Sequence, residues 1–79
     1  MDIKVLGPGC ANCVKLDKLV HEATQALGIE ASIEKVTDMS GIMAYGVMRT
    51  PGLVIDGKVV AYGRVPALAE IKQWLAARS

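Results

Sequence analysis

The spacing of apolar and polar residues changes period several times along the chain, and each change marks an element. Ile3 to Leu6 is a short apolar-rich run that stops at Gly7-Pro8-Gly9, which predicts a buried strand entering a loop. From Cys10 onward the period becomes helical. Leu16, Leu19, Val20, Ala23, Ala26 and Leu27 share one face, and Lys15, Asp17, Lys18, Glu22 and Gln25 share the other. Gly28 follows the last apolar position, where helices commonly end in a left-handed residue. The expected helix is roughly 15–18 residues long, with both cysteines in its first turns. Ala31 to Val36 alternates imperfectly and predicts a strand at a sheet edge. Asp38 or Ser40 can cap a shorter helix running to about Tyr45, with Gly46 as its terminator. Leu53-Val54-Ile55 and Lys58 to Tyr62 flank Asp56-Gly57, a pair suited to a tight hairpin turn because both central positions need positive φ. Pro66 is expected to open a last helix with a Leu68, Ile71, Leu75 stripe and Trp74 beside it. The predicted order is β-α-β-α-β-β-α. The first two strands are each followed by a helix and so should pair in parallel.

Composition narrows the class. Of 79 residues, 52% are hydrophobic and 22% charged, a globular balance that supports a single domain over residues 1–79. A chain this short buries only about 60% of the surface it exposes unfolded. With no Phe, one Trp and two Tyr, its core must be aliphatic. The net charge of +1 lacks the dense cationic footprint of a general nucleic-acid binder. No apolar run approaches the roughly 20 residues of a membrane span, and no basic-then-apolar leader follows Met1. Two cysteines three residues apart could close only a tiny ring, a poor staple for a small secreted domain. They are therefore expected to serve chemistry or a metal, in a cytoplasmic protein.

Cys10-Ala11-Asn12-Cys13 lies directly after the first strand and at the start of the first helix. Helix N-termini carry unpaired N–H groups and the positive end of the macrodipole, so a Cys10 thiolate there should form below the ~8.5 of a free cysteine. Cys13 returns to nearly the same side of the helix about 4.5 Å further along, within bonding reach of Cys10 but deeper. An exposed sulfur backed by a shielded one suits thiol–disulfide exchange, with Cys10 attacking and Cys13 resolving.

Together with Thr50-Pro51 entering the hairpin, Asp56-Gly57-Lys58 and the closing helix, this motif resembles the thioredoxin fold. The chain is similar to the small redox-active disulfide proteins, short and glutaredoxin-like in lacking an extra N-terminal strand and helix. The resemblance implies a minimal α/β thioredoxin fold with a four-stranded mixed sheet flanked by three helices. It also implies a cis bond before Pro51 beside the two sulfurs, and a Thr50 backbone that pairs with extended substrate. The implied activity is thiol–disulfide oxidoreduction with the Cys10–Cys13 disulfide as redox group and no bound cofactor. Protein disulfides and an upstream dithiol reductase are the implied partners of a monomer or weak dimer.

Departures from the better-known members sharpen these expectations. Gly9 and Ala11-Asn12 replace the thioredoxin Trp and Gly-Pro, and Lys4 stands where thioredoxins have a buried acid. Arg64-Val65 replace the acidic pair with which glutaredoxins hold glutathione, which argues against that partner. Two alternatives use the same thiols. One is a soft-metal carrier, since two thiolates suit Cu(I) and heavy-metal-associated domains share the C-x-x-C. Their β-α-β-β-α-β order ends in a strand, whereas this chain ends in a helical stripe. The other is a non-catalytic redox sensor. His21 is read as a solvated residue near Asp17, and Met39, Met43 and Met48 as core filling in preference to the flank of a substrate groove.

Overall fold

A computed structural model describes residues 1–78. Seven elements follow in order: β1 (Asp2–Leu6), α1 (Ala11–Leu27), β2 (Ser32–Val36), α2 (Met39–Ala44), β3 (Gly52–Ile55), β4 (Lys58–Tyr62) and α3 (Leu68–Arg78). The strands form one sheet in the order β2-β1-β3-β4, parallel between β1 and β2 and antiparallel elsewhere. α1 supplies the crossover that parallel pairing requires. β2 lies at the edge, as its mixed alternation predicts.

Period-2 alternation sorts the sheet into two faces. Ile3, Val5, Leu53 and Ile55 pack with Leu16 and Val20 of α1 and with Ile71 and Leu75 of α3. Leu6 and Val54 point the other way, against Ile42 of α2 and Val47. All four residues of β3 are buried, the mark of a strand covered on both sides. The result is the minimal thioredoxin fold, with α1 and α3 on one face and α2 on the other.

Local chemistry ends each element. Gly28 is left-handed at φ 65°; its N–H reaches the Gln25 carbonyl at 3.2 Å and the Ile29 N–H reaches that of Thr24 at 3.0 Å, a Schellman stop. Asp38 caps α2 by accepting from the Gly41 N–H at 2.8 Å and the Ser40 hydroxyl at 2.7 Å. The Ser40 bond, then that of Gly41, holds the Asp38 carboxyl below its ordinary value. Asp56 and Gly57 both have positive φ, 50° and 82°, as the hairpin requires. Beyond that turn, Leu53 faces Ala61 but Val54 faces Val59, so Val60 is the extra residue of a bulge.

The last helix departs from expectation: it starts at Leu68, not Pro66. The Ala67 carbonyl accepts the first helical bond, from Ile71 at 3.1 Å, which makes Ala67 the capping residue and leaves Pro66 buried ahead of it. Ala67 has no side-chain acceptor, so Glu70 reaches back to its N–H at 3.1 Å while pairing with both terminal nitrogens of Arg64. Arg64 first, then the Ala67 N–H, lowers the Glu70 carboxyl below its ordinary value. Among the described residues, no helix is long and apolar enough to cross a membrane.

Two outcomes test this architecture. Leu16→Ala, at the centre of the larger core, should cost about 2–5 kcal/mol in urea unfolding. Because the Glu70 carboxyl is lowered in the fold, its bonds stabilise above an unfolded value of about 4.3 and are lost as pH falls through the lower folded value. Glu70→Gln should therefore be less stable than wild type at pH 7, with the gap closing under acid. A gap that stays constant with pH would contradict that capping role.

Candidate active site

The site is built where β1 stops and α1 starts. Gly7 continues the parallel ladder one step beyond β1, its N–H bonded to the Val36 carbonyl at 2.9 Å. Pro8 and Gly9 turn the chain, and Cys10 becomes the N-cap of α1 with extended backbone at φ −66° and ψ 166°. The Cys10 carbonyl accepts the first helical bond, from Val14 at 3.0 Å. Its sulfur takes the part usually played by a capping oxygen, accepting from the Cys13 N–H at 3.3 Å. Cys10 thus sits just ahead of the helix, while Cys13 lies inside its first turn.

The two cysteines are joined as a disulfide with Cα atoms 5.0 Å apart. Their surroundings differ. Cys10 is exposed, whereas Cys13 is 5% exposed. No acidic residue occupies the first turn of α1, so no like charge opposes a thiolate at its N-terminus.

Gly7 makes the burial of Cys13 possible. A Cβ at Gly7 would overlap Sγ of Cys13 and come within 3.1 Å of its Cβ. The same Cβ would stand 3.7 Å from that of Thr50, which puts Gly7 between the disulfide and the segment leading into β3. The Thr50–Pro51 bond is cis, Pro51 is buried, and its carbonyl accepts from the Gly63 N–H at 2.9 Å. Cys10, Cys13, Thr50 and Pro51 are therefore gathered at one end of the sheet.

Beside them runs a groove of about 250 Å³, lined by Pro8, Met39, Ile42, Met43, Val47, Met48 and Thr50. This corrects the expectation that the methionines fill the core: Met39, Met43 and Met48 are 60%, 62% and 90% exposed. Among the described residues, Ile42 of α2 and Val47 after it are buried in the small core on that face, with Tyr45 partly buried against it. Lys4, where the family resemblance would place an acid, bonds Glu34 at 3.0 Å and lies 3.6 Å from Asp2. The Glu34 bond, the largest influence, raises its ammonium above the ordinary value. His21 is exposed and stands 3.5 Å from Asp17, as its position on α1 predicts. Sequence reasoning read Gly7 only as the start of the Gly7-Pro8-Gly9 loop and missed that its absent Cβ makes room for the Cys13 sulfur.

A small α/β sheet with a disulfide across the β1–α1 junction defines a thioredoxin-like protein. The thioredoxin domain family profile matches residues 1–76, and the chain belongs to that family. Thioredoxin of Methanothermobacter thermautotrophicus is 44% identical over 75 residues, covering 95% of this chain and 97% of that protein. Thioredoxin of Methanocaldococcus jannaschii is 40% identical over 73 residues, covering 92% and 84%. The protein is a thiol–disulfide oxidoreductase of thioredoxin type.

If space at Gly7 sets the burial of Cys13, Gly7→Ala should destabilise the oxidised protein by about 1–3 kcal/mol. It should also speed alkylation of Cys13 after reduction. Gly9→Ala is the control. Gly9 has φ 95° and open space around its missing Cβ, so its cost is backbone strain and Cys13 alkylation should not change.

Proposed function

We propose that the chain exchanges disulfides with protein partners, with Cys10 as the attacking sulfur and Cys13 as the resolving one. The observation that carries this is the asymmetry of the pair, an exposed N-cap sulfur facing a helix N–H and a buried sulfur bonded behind it. A Cys10 thiolate attacks one sulfur of the partner disulfide, and the other partner sulfur leaves with the bonding electrons. Cys13 then gives up its proton and attacks Cys10 Sγ, which releases the second partner sulfur. Two electrons pass from the cysteine pair to the partner, and an upstream dithiol reductase restores them. The disulfide itself is the redox group, and no bound cofactor is required.

Thr50 and Pro51 form the docking element in this reading. Thr50 lies across Gly7 from Cys13 and also lines the methionine groove, so a segment seated there passes the sulfurs. Methionine suits such a surface because its flexible, polarizable side chain adapts to varied apolar partners. Glutathione is not the partner we propose. Arg64 replaces one member of the acidic pair that would hold it, and its guanidinium is engaged by Glu70. The cytoplasm, where thiols are kept reduced, is the proposed setting.

The roles separate by mutation. Cys10→Ser should abolish reduction of a protein disulfide such as insulin. Cys13→Ser should instead accumulate mixed disulfides with partners, visible as bands lost on reduction in a gel. Activity retained by Cys10→Ser would contradict the assignment.

A further inference from the structure

Methionine is not spread evenly over this molecule. The chain has four, and Met39, Met43 and Met48 all line the groove that Thr50 borders. The fourth, Met1, packs against the larger core. Met39 and Met43 stand four residues apart on α2, the spacing of neighbours on one helix face. Met48 comes two residues before Thr50 and, among the described residues, is the most exposed large apolar side chain.

Among the described residues, no charged side chain lines the groove, and the Thr50 hydroxyl is the one polar side-chain group in its walls. Leucine at the three positions would make a surface just as apolar. What methionine adds is a thioether sulfur, and exposure leaves all three sulfurs open to a two-electron oxidant. Each sulfoxide would set a strong hydrogen-bond acceptor in walls where Thr50 supplies the one side-chain donor. Covering such an acceptor with an apolar partner costs free energy unless the partner brings a donor. Cys10 and Cys13, joined as a disulfide, present no free thiol to the same oxidant.

We propose that Met39, Met43 and Met48 form a modification site, where hydrogen peroxide makes sulfoxides that weaken the docking of protein partners. The proposal rests on the reading that partners seat in this groove. At each residue the thioether sulfur attacks one peroxide oxygen, and the O–O bond breaks as the S–O bond forms. The sulfur is oxidised by two electrons and keeps that oxygen. The other oxygen leaves with both protons as water, so one peroxide is reduced for each sulfoxide made. The groove turns polar while the Cys10–Cys13 couple is untouched. Small disulfides, which need no groove, are reduced as before, and protein disulfides are reduced more slowly. Oxidation thus narrows what the protein reduces without removing its redox group.

The test starts from the disulfide form, treated with hydrogen peroxide, cleared of it and then reduced with dithiothreitol. Peptide mass spectrometry should find an added oxygen on Met48, Met39 and Met43 ahead of Met1. In single-turnover mixing, the sulfoxide form should reduce insulin about tenfold more slowly than untreated protein, the factor expected for covering a polar atom without a partner. Its rate with hydroxyethyl disulfide should not change. A variant combining Met39→Leu, Met43→Leu and Met48→Leu should reduce insulin at one rate, whatever that rate is, before and after peroxide. Equal insulin rates for treated and untreated wild type would overturn the proposal, as would an equal slowing with both disulfides. A footprint separates that failure from failure of the docking reading. In Cys13→Ser joined through Cys10 to an insulin chain, the groove methionines should oxidise more slowly than in the same variant alone. No protection there would overturn the docking reading itself, since partners would then not seat in the groove.

Discussion

The burial of the Cys13 sulfur against a backbone with no side chain is the contact on which the site depends. Without the gap at Gly7, the sulfur could not sink into the junction between β1 and α1, and the pair would lose its inside and outside. The contact also fixes neighbours. Gly7 is held by its ladder bond to Val36, so the β1 end is tied to β2, and Thr50 packs on the other side of the same gap. One missing Cβ thereby sets the spacing of three segments. Cys10 needs no such burial, because its place at the N-cap follows from where α1 can begin over the sheet.

The layering around this junction divides the labour. β1 and β3 are central, and their alternating apolar residues bind α1 and α3 on one face and α2 on the other. The thicker face holds the larger core, into which α1 sends Leu16, Val20 and Ala23. Among the described residues, the thinner face has Leu6, Ile42, Val47 and Val54 as its buried core. A short helix covering so small a core leaves its methionines in solvent, and that leaves an apolar groove bordered by Pro8 and Thr50. The edge strand β2 and the residue that follows it place Lys35 and Thr37 in the lining of the small cavity beside Cys13. The exposed sulfur, the apolar groove and the polar lining behind Cys13 therefore come from different parts of one small fold.

Much of this was legible in the residues because the signals were local. A period change at Cys10, the glycine after Leu27 and the Asp56-Gly57 pair each report on a few neighbouring residues, and all mark real boundaries. The C-x-x-C is likewise local, and its placement between strand and helix carried the chemistry. Long-range facts were harder to read. Nothing in the period of α2 tells that its core is too small to cover Met39 and Met43. Asp17 reads as polar, and nothing local tells that its side chain is largely buried with Lys35 of β2 3.5 Å away. Pro66 misled because proline favours a first helical turn, yet the reach of Glu70 back to Ala67 decided where α3 begins.

The central claim is that Cys10 and Cys13 act as one two-electron couple. Thiol trapping across a graded series of thiol/disulfide redox buffers tests it most directly. The account predicts a single reversible transition in which both thiols appear together, their ratio to the disulfide changing tenfold for about 30 mV. Thiols that titrate independently, or that remain as mixed disulfides with the buffer thiol, would contradict it.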